Sequence, residues 1–181
     1  MWKNILWENL EIILIALLIV VPLRTFVVQP FIVHGSSMEP NFYPKDYLII
    51  DELSYRFRDP QRYEIIVFKA PNQPSQFYIK RIIGLPNEEV EIKNGQITIT
   101  TVTGKTLPIE EPFLPKNITT EGNLKIKLGP DQFFVLGDNR QASYDSRNWG
   151  PVHQDLIIGR VWLRLLPLKR VSAFTLSQPE N

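Results

Sequence analysis

Cysteine is absent from the 181 residues, and histidine occurs only twice. The first absence excludes thiolate nucleophiles, disulfides and thiolate metal sites, but leaves the redox compartment undetermined, since a cysteine-free protein works in either. The two histidines, His34 and His153, stand far apart. With no HExxH pair and no EF-hand spacing of carboxylates, a metal enzyme would need ligands scattered without pattern, so no metal is expected. An excess of one charge is missing too. The 20 Lys and Arg balance 19 Asp and Glu to leave +1, which gives no basic field for non-specific nucleic-acid binding. Nucleic acid is disfavoured as the main partner. There is no internal repeat and no low-complexity segment, and the length suits one modest domain.

One long apolar run is present, and it lies near the N-terminus. Ile12 to Leu23 reads IILIALLIVVPL without a charge and continues to Val28, interrupted by Arg24 and Thr25. As a helix these roughly 17 residues rise about 25 Å, near the lower limit for crossing a ~30 Å hydrocarbon core. Trp2 and Trp7 sit where interfacial aromatics belong, and Arg24 is placed to snorkel. Residues 1–28 therefore read as a short stub and a single transmembrane anchor. A cleaved secretory signal is the competing reading. It is opposed by Glu8 and Glu11 in the leading segment and by the lack of a small-x-small site before Gln29-Pro30. The flanking charges are nearly balanced, so charge alone does not say which face bears the remainder.

Residues 29–181 read as mainly β, with short β-branched and aromatic runs punctuated by many of the 15 prolines. Strands are expected at 31–34, 47–51, 65–69, 77–83, 89–93, 96–101, 125–128, 133–136 and 156–165. Asn94-Gly95 supplies the two positive-φ residues of a type I′ turn, so the strands flanking it should pair as a hairpin. From Pro108 to Gly122 the chain is polar and proline-broken, a loop or lid at a rim. The late run IIGRVWLRLLPL is too short and too charged to span a membrane. It reads as a closing strand, with contact of Trp162 and the leucines with a lipid surface as the alternative.

Three segments carry chemistry. HGSSMEPN, 34–41, puts two serines after a glycine at a strand end. There a serine can present both a hydroxyl nucleophile and a free amide as oxyanion donor, although Gly-Ser-Ser alone is more often an ordinary loop. In FYIKRIIGLP, 77–86, Lys80 interrupts an apolar strand and shares a face with Tyr78 and Ile82, while Arg81 points to the other. A lysine on an apolar face loses hydration, which lowers its pKa toward the range of a general base. Against that stands a snorkelling lysine at a sheet edge. GDNRQASYDSR, 137–147, follows an apolar run and offers Ser143 to orient a lysine. In it Asp145 and Arg147 are able to pair with each other or with Arg81. A histidine-based triad is disfavoured: His34 and Ser37 project to opposite faces of an extended chain, and no acid is marked for His153. No serine has a lysine three residues later, which excludes the S-x-x-K acyl-enzymes.

Taken together, the anchor ending in Arg-Thr-Phe, the Gly-Ser-Ser-Met-x-Pro box, RYEIIVFKAP, YIKRIIGLP and GDNRQASYDSRNWGPV resemble type I signal peptidase, in order and over nearly the whole chain. The resemblance implies a mainly β fold: an antiparallel sheet or partly open barrel at 29–181, outside the cytoplasm, with a short cap or hairpin region at about 87–130. It implies Ser37 as nucleophile, Lys80 as general base, Ser143 as the residue orienting the lysine, and Asp145 with Arg147 as a supporting ion pair. Gly35 is a departure, because many members carry there a serine whose hydroxyl aids the oxyanion hole. Phe31, Val33, Tyr78 and Ile79 are the candidates for walls of shallow pockets that accept small side chains; their plain alternative is core packing. The implied partners are the signal peptides of preproteins with an A-x-A pattern and a lipid bilayer, either the cell membrane or an internal, thylakoid-type one. No cofactor is implied, and the oligomeric state is open. Two competitors lie outside this reading. A self-cleaving repressor-type peptidase would carry a DNA-binding domain where this chain has the apolar run, and a tethered peptide-binding module would not depend on Ser37 or Lys80.

Overall fold

The computed structural model describes residues 28–174 together with the helical pair Leu14 and Ile15. Among the described residues no helix is long and apolar enough to cross a membrane. The anchor expected at 12–28 falls, apart from those three positions, outside the described residues.

Twelve strands form two antiparallel sheets among the described residues. The larger contains β1 (Val28–Ile32), β2 (Tyr47–Asp51), β3 (Ile65–Ala70), β4 (Gln73–Gly84), β9 (Gln132–Leu136), β10 (Val152–His153), β11 (Ile157–Leu166) and β12 (Ser172–Ala173). Its order is β1-β2-β11-β3-β4-β9-β10, with β12 paired to β11. Both ends are edges, so the sheet is open and does not close into a barrel. The smaller sheet, β7-β6-β5-β8, comprises β5 (Glu89–Lys93), β6 (Gln96–Thr100), β7 (Thr106–Pro108) and β8 (Leu124–Lys127). Asn94 and Gly95 have φ of 52° and 80°, and Lys93 pairs with Gln96, which makes the expected hairpin.

Alternation decides which residues enter the core. In β5 and β6, Val90, Ile92, Ile97 and Ile99 are buried while Glu91 and Thr98 are not, as a two-residue period requires. These four pack with Ile83, Leu128, Phe134 and Leu136, so the small sheet shares its core with the ends of β4 and β9. Two further clusters, around Val33, Met38, Phe42 and Ile50, and around Ile66, Phe68, Ile82 and Val135, cover opposite faces of the large sheet.

Expected bounds and placements shift in places. The strand expected at 156–165 is present as β11, and it lies inside the sheet, paired with both β2 and β3. Its Gly159 permits this, since a Cβ there would meet the Asp51 carbonyl oxygen at 2.5 Å. The first strand begins earlier than position 31, because Val28 already has a partner in Asp51. It ends before Gly35, whose φ of 76° turns the chain. Residues 109–123 form no helix or strand and run as the expected loop.

Candidate active site

Lys80 lies on β4, opposite Ile66 of β3, with Tyr78 and Ile82 on its face as alternation requires. It is 4% exposed. Its Nζ donates to Ser37 Oγ at 2.8 Å and to the Ile79 carbonyl at 3.0 Å. Burial lowers its pKa from 10.5 to about 8, against the opposing pull of the Asp145 and Asp138 carboxylates. Desolvation wins because no carboxylate touches the ammonium. A hydroxyl hydrogen-bonded to an amine of that pKa has the geometry for proton transfer near neutral pH.

Ser37 is held by its backbone. The Asn139 amide donates to the Ser37 carbonyl at 3.0 Å, and Asn139 Nδ2 donates to that of Ser36 at 3.1 Å. The loop after β9 thus fastens the loop after β1. Gly137 makes this close approach possible, for a Cβ there would collide with the Ser37 carbonyl oxygen and Ser143 Oγ.

Asp145 is fully buried, accepts from the Gly137 amide at 3.1 Å and pairs with Arg147 at 2.9 Å. It also caps the one-turn helix α1 (Ser146–Trp149). Neither Asp145 nor Arg147 pairs with Arg81, whose fork goes to Asp138 at 2.8 and 2.6 Å. Ser143 Oγ is buried but makes no hydrogen bond, so the structure does not join it to Lys80. Gly35 points its open side to free space, with nothing within 4 Å of an added Cβ.

Phe31, Val33, Tyr78 and Ile79 line, together with Ser37 and Lys80, a cleft of about 900 Å³ between β1 and β4. Val33 and Ile79 also pack into the core, so their wall and core roles coincide. Among the described residues no three His, Asp or Glu side chains converge as a metal site.

Two buried contacts were not legible from sequence. Asp138 accepts from Arg81 and from Asn41 Nδ2 at 2.8 Å. Arg140, 3% exposed, donates to both Glu111 oxygens at 3.0 and 2.5 Å, to Thr120 Oγ1 and, through Nε, to the Gly137 carbonyl at 2.9 Å. Loop 109–123 is thereby tied to the loop that holds Ser37. The density of charge in GDNR, directly after an apolar strand, was the available signal.

Comparison with known proteins agrees in family. A family model for signal peptidase, peptidase S26, matches residues 6–166. A probable signal peptidase I-2 of Synechocystis is 42% identical over 166 residues, covering 88% of this chain and 73% of that protein. Signal peptidase I of Bacillus caldolyticus is 37% identical over 169 residues, 86% of this chain and 89% of the relative. A crystal structure of a signal peptidase I from Enterococcus faecalis shares 30% identity, covers 57% of this chain and 97% of that one, and has a TM-score of 0.48. With the family model spanning most of its length, the chain belongs to the type I signal peptidases, serine endopeptidases of family S26.

Proposed function

We propose that the protein removes N-terminal signal peptides from secreted precursors, cleaving after small residues in an A-x-A pattern with Ser37 as nucleophile and Lys80 as general base. The observation that carries this reading is the 2.8 Å contact between a buried lysine and a serine hydroxyl that both line a cleft of about 900 Å³. Neutral Lys80 takes the Ser37 proton as Oγ attacks the carbonyl before the scissile bond. The Lys80 ammonium then protonates the leaving amine, and water, activated by the same lysine, hydrolyses the acyl-enzyme. The Ser37 amide supplies an oxyanion donor, and Gly35 contributes no hydroxyl. An extended substrate would place alternate side chains against Phe31, Val33, Tyr78 and Ile79, which is the periodicity of an A-x-A site.

Residues 12–28 anchor the enzyme, with 29–181 on the extracytoplasmic side. Anchoring enzyme and precursor in one membrane raises their effective concentration. In this reading Ser143, Asp145 and Arg147 support the dyad, Ser143 meeting Lys80 by a rotation of its free hydroxyl. The test is cleavage of a secretory precursor by the detergent-solubilised chain, beside Ser37→Ala and Lys80→Ala, with sequencing of the new N-terminus. Cleavage after the second alanine, lost in both variants, is expected; cleavage retained in either folded variant rules out the dyad.

A further inference from the structure

The oxyanion donor named above is a single peptide N–H. Gly35 adds no hydroxyl to it, and the space beside Gly35 is open. The Ser37 amide has no acceptor among the described residues, so it is free to meet a developing negative charge. A lone donor acts only as well as it is aimed, and this one is aimed from the far side of its own peptide bond.

The Ser36–Ser37 bond is trans, since the cis bonds among the described residues are Glu39-Pro40 and Leu166-Pro167. In a planar trans peptide the carbonyl and the N–H point in opposite directions and turn together. The Ser36 carbonyl accepts from the Glu39 amide at 3.1 Å and from Asn139 Nδ2 at 3.1 Å. A carbonyl oxygen only accepts, which requires the Asn139 side chain to present its NH2 group there. The Glu39 donor belongs to the same turn and moves with it. The Asn139 donor comes from the loop after β9 and ties the peptide plane to the large sheet. Its own backbone amide holds the next carbonyl, that of Ser37, at 3.0 Å. Asn139 therefore fixes both peptide planes that flank the Ser37 Cα. Ser36 and Ser37 line the cleft and Asn139 does not, so it grips the Ser36 carbonyl from behind and leaves the N–H turned the other way. Donation to that carbonyl also polarises the peptide and strengthens its N–H as a donor.

We propose that Asn139 is the positioning residue of the oxyanion hole, its side-chain amide aiming the Ser37 N–H at the oxygen that turns negative when Ser37 attacks. The inference rests on the assignment of Ser37 and Lys80 above and deepens it. Asn139 acts through the Ser36–Ser37 peptide and exchanges no proton with the substrate. An oxyanion forms twice in the cycle, on acylation and again on hydrolysis of the acyl-enzyme, so kcat carries the loss whichever step is slower.

The test compares the full chain in detergent with Asn139→Ala and with Asn139→Leu, which keeps the bulk of the side chain without its donor. Rates on an A-x-A precursor are expressed per folded enzyme. In both variants kcat should fall about tenfold, the size of one hydrogen bond realised in the transition state, while KM stays within about twofold of wild type. Both variants keep the backbone amide that holds the Ser37 carbonyl, so the rise of kcat/KM with pH should remain at about 8. Wild-type kcat in either folded variant overturns the positioning role and leaves the dyad standing. A loss confined to KM, or one that comes with a displaced pH profile, overturns it as well, because the effect then lies in substrate binding or in the Ser37–Lys80 contact. If wild type cleaves no precursor, the reading of Ser37 and Lys80 falls and the role of Asn139 with it.

Discussion

Replacing Lys80 by methionine should abolish cleavage and at the same time stabilise the fold near neutral pH. Lys80 is 4% exposed, and burial pulls its pKa from 10.5 to about 8. At ~1.36 kcal/mol per pH unit, holding this ammonium in the folded protein costs about 3 kcal/mol. The sign follows from proton affinity: the unfolded chain binds this proton more tightly than the folded one. The cost is therefore complete below pH 8 or so and disappears as pH rises toward 10.5, where both states are largely neutral. Methionine has similar length and no charge, so Lys80→Met removes the cost. It also removes the hydrogen bonds to Ser37 and Ile79, worth about 1 kcal/mol each, which lowers the net gain. Those losses cancel when the variant is compared with wild type at two pH values. Urea unfolding in one detergent, at about pH 7 and about pH 10, should show the stability difference shrinking by about 2 kcal/mol. A difference independent of pH would mean that Lys80 titrates as an ordinary lysine, and the argument for a neutral base would fail.

Gly137→Ala should lower kcat by about a hundredfold, the cost of moving a reacting atom by roughly 1 Å, since its Cβ collides with the Ser37 carbonyl oxygen; steady-state kinetics on folded protein checks this. Arg81→Ala should cost about 3–5 kcal/mol in unfolding measurements, because it leaves the fully buried Asp138 carboxylate without a charge partner and with Asn41 Nδ2 as its remaining side-chain donor. Asp145→Ala should cost about 1–3 kcal/mol, by leaving the buried Gly137 amide without its acceptor and opening the cap of α1, and should impair cleavage as well. Retention of wild-type stability in either variant would show that these pairs do not hold the loop.

Local patterns carried most of what was legible. Lys80 was readable because a charge in the middle of FYIKRIIG breaks an apolar strand, and the period of two placed it apart from Arg81. Asn94-Gly95 was readable because few other residues adopt two successive positive φ values. The strand order was not, since β11 enters between β2 and β3 through register choices that no local period encodes. β7, β10 and β12 have three residues or fewer, too short to show alternation. The Arg81–Asp138 and Arg140–Glu111 pairs join residues 57 and 29 apart, and any of several acids matched each arginine in sequence. Ser143 was singled out by chemistry, yet its hydroxyl makes no bond. It sits where a Cβ on Gly137 would otherwise be, a tertiary proximity that sequence does not display.

The pH dependence of kcat/KM on an A-x-A precursor tests the dyad most directly. Activity should rise with pH as one group of apparent pKa about 8 loses its proton, the value burial sets for Lys80. A rise centred near 10.5, the value of an unburied lysine, would contradict a neutral Lys80 acting on Ser37 at physiological pH.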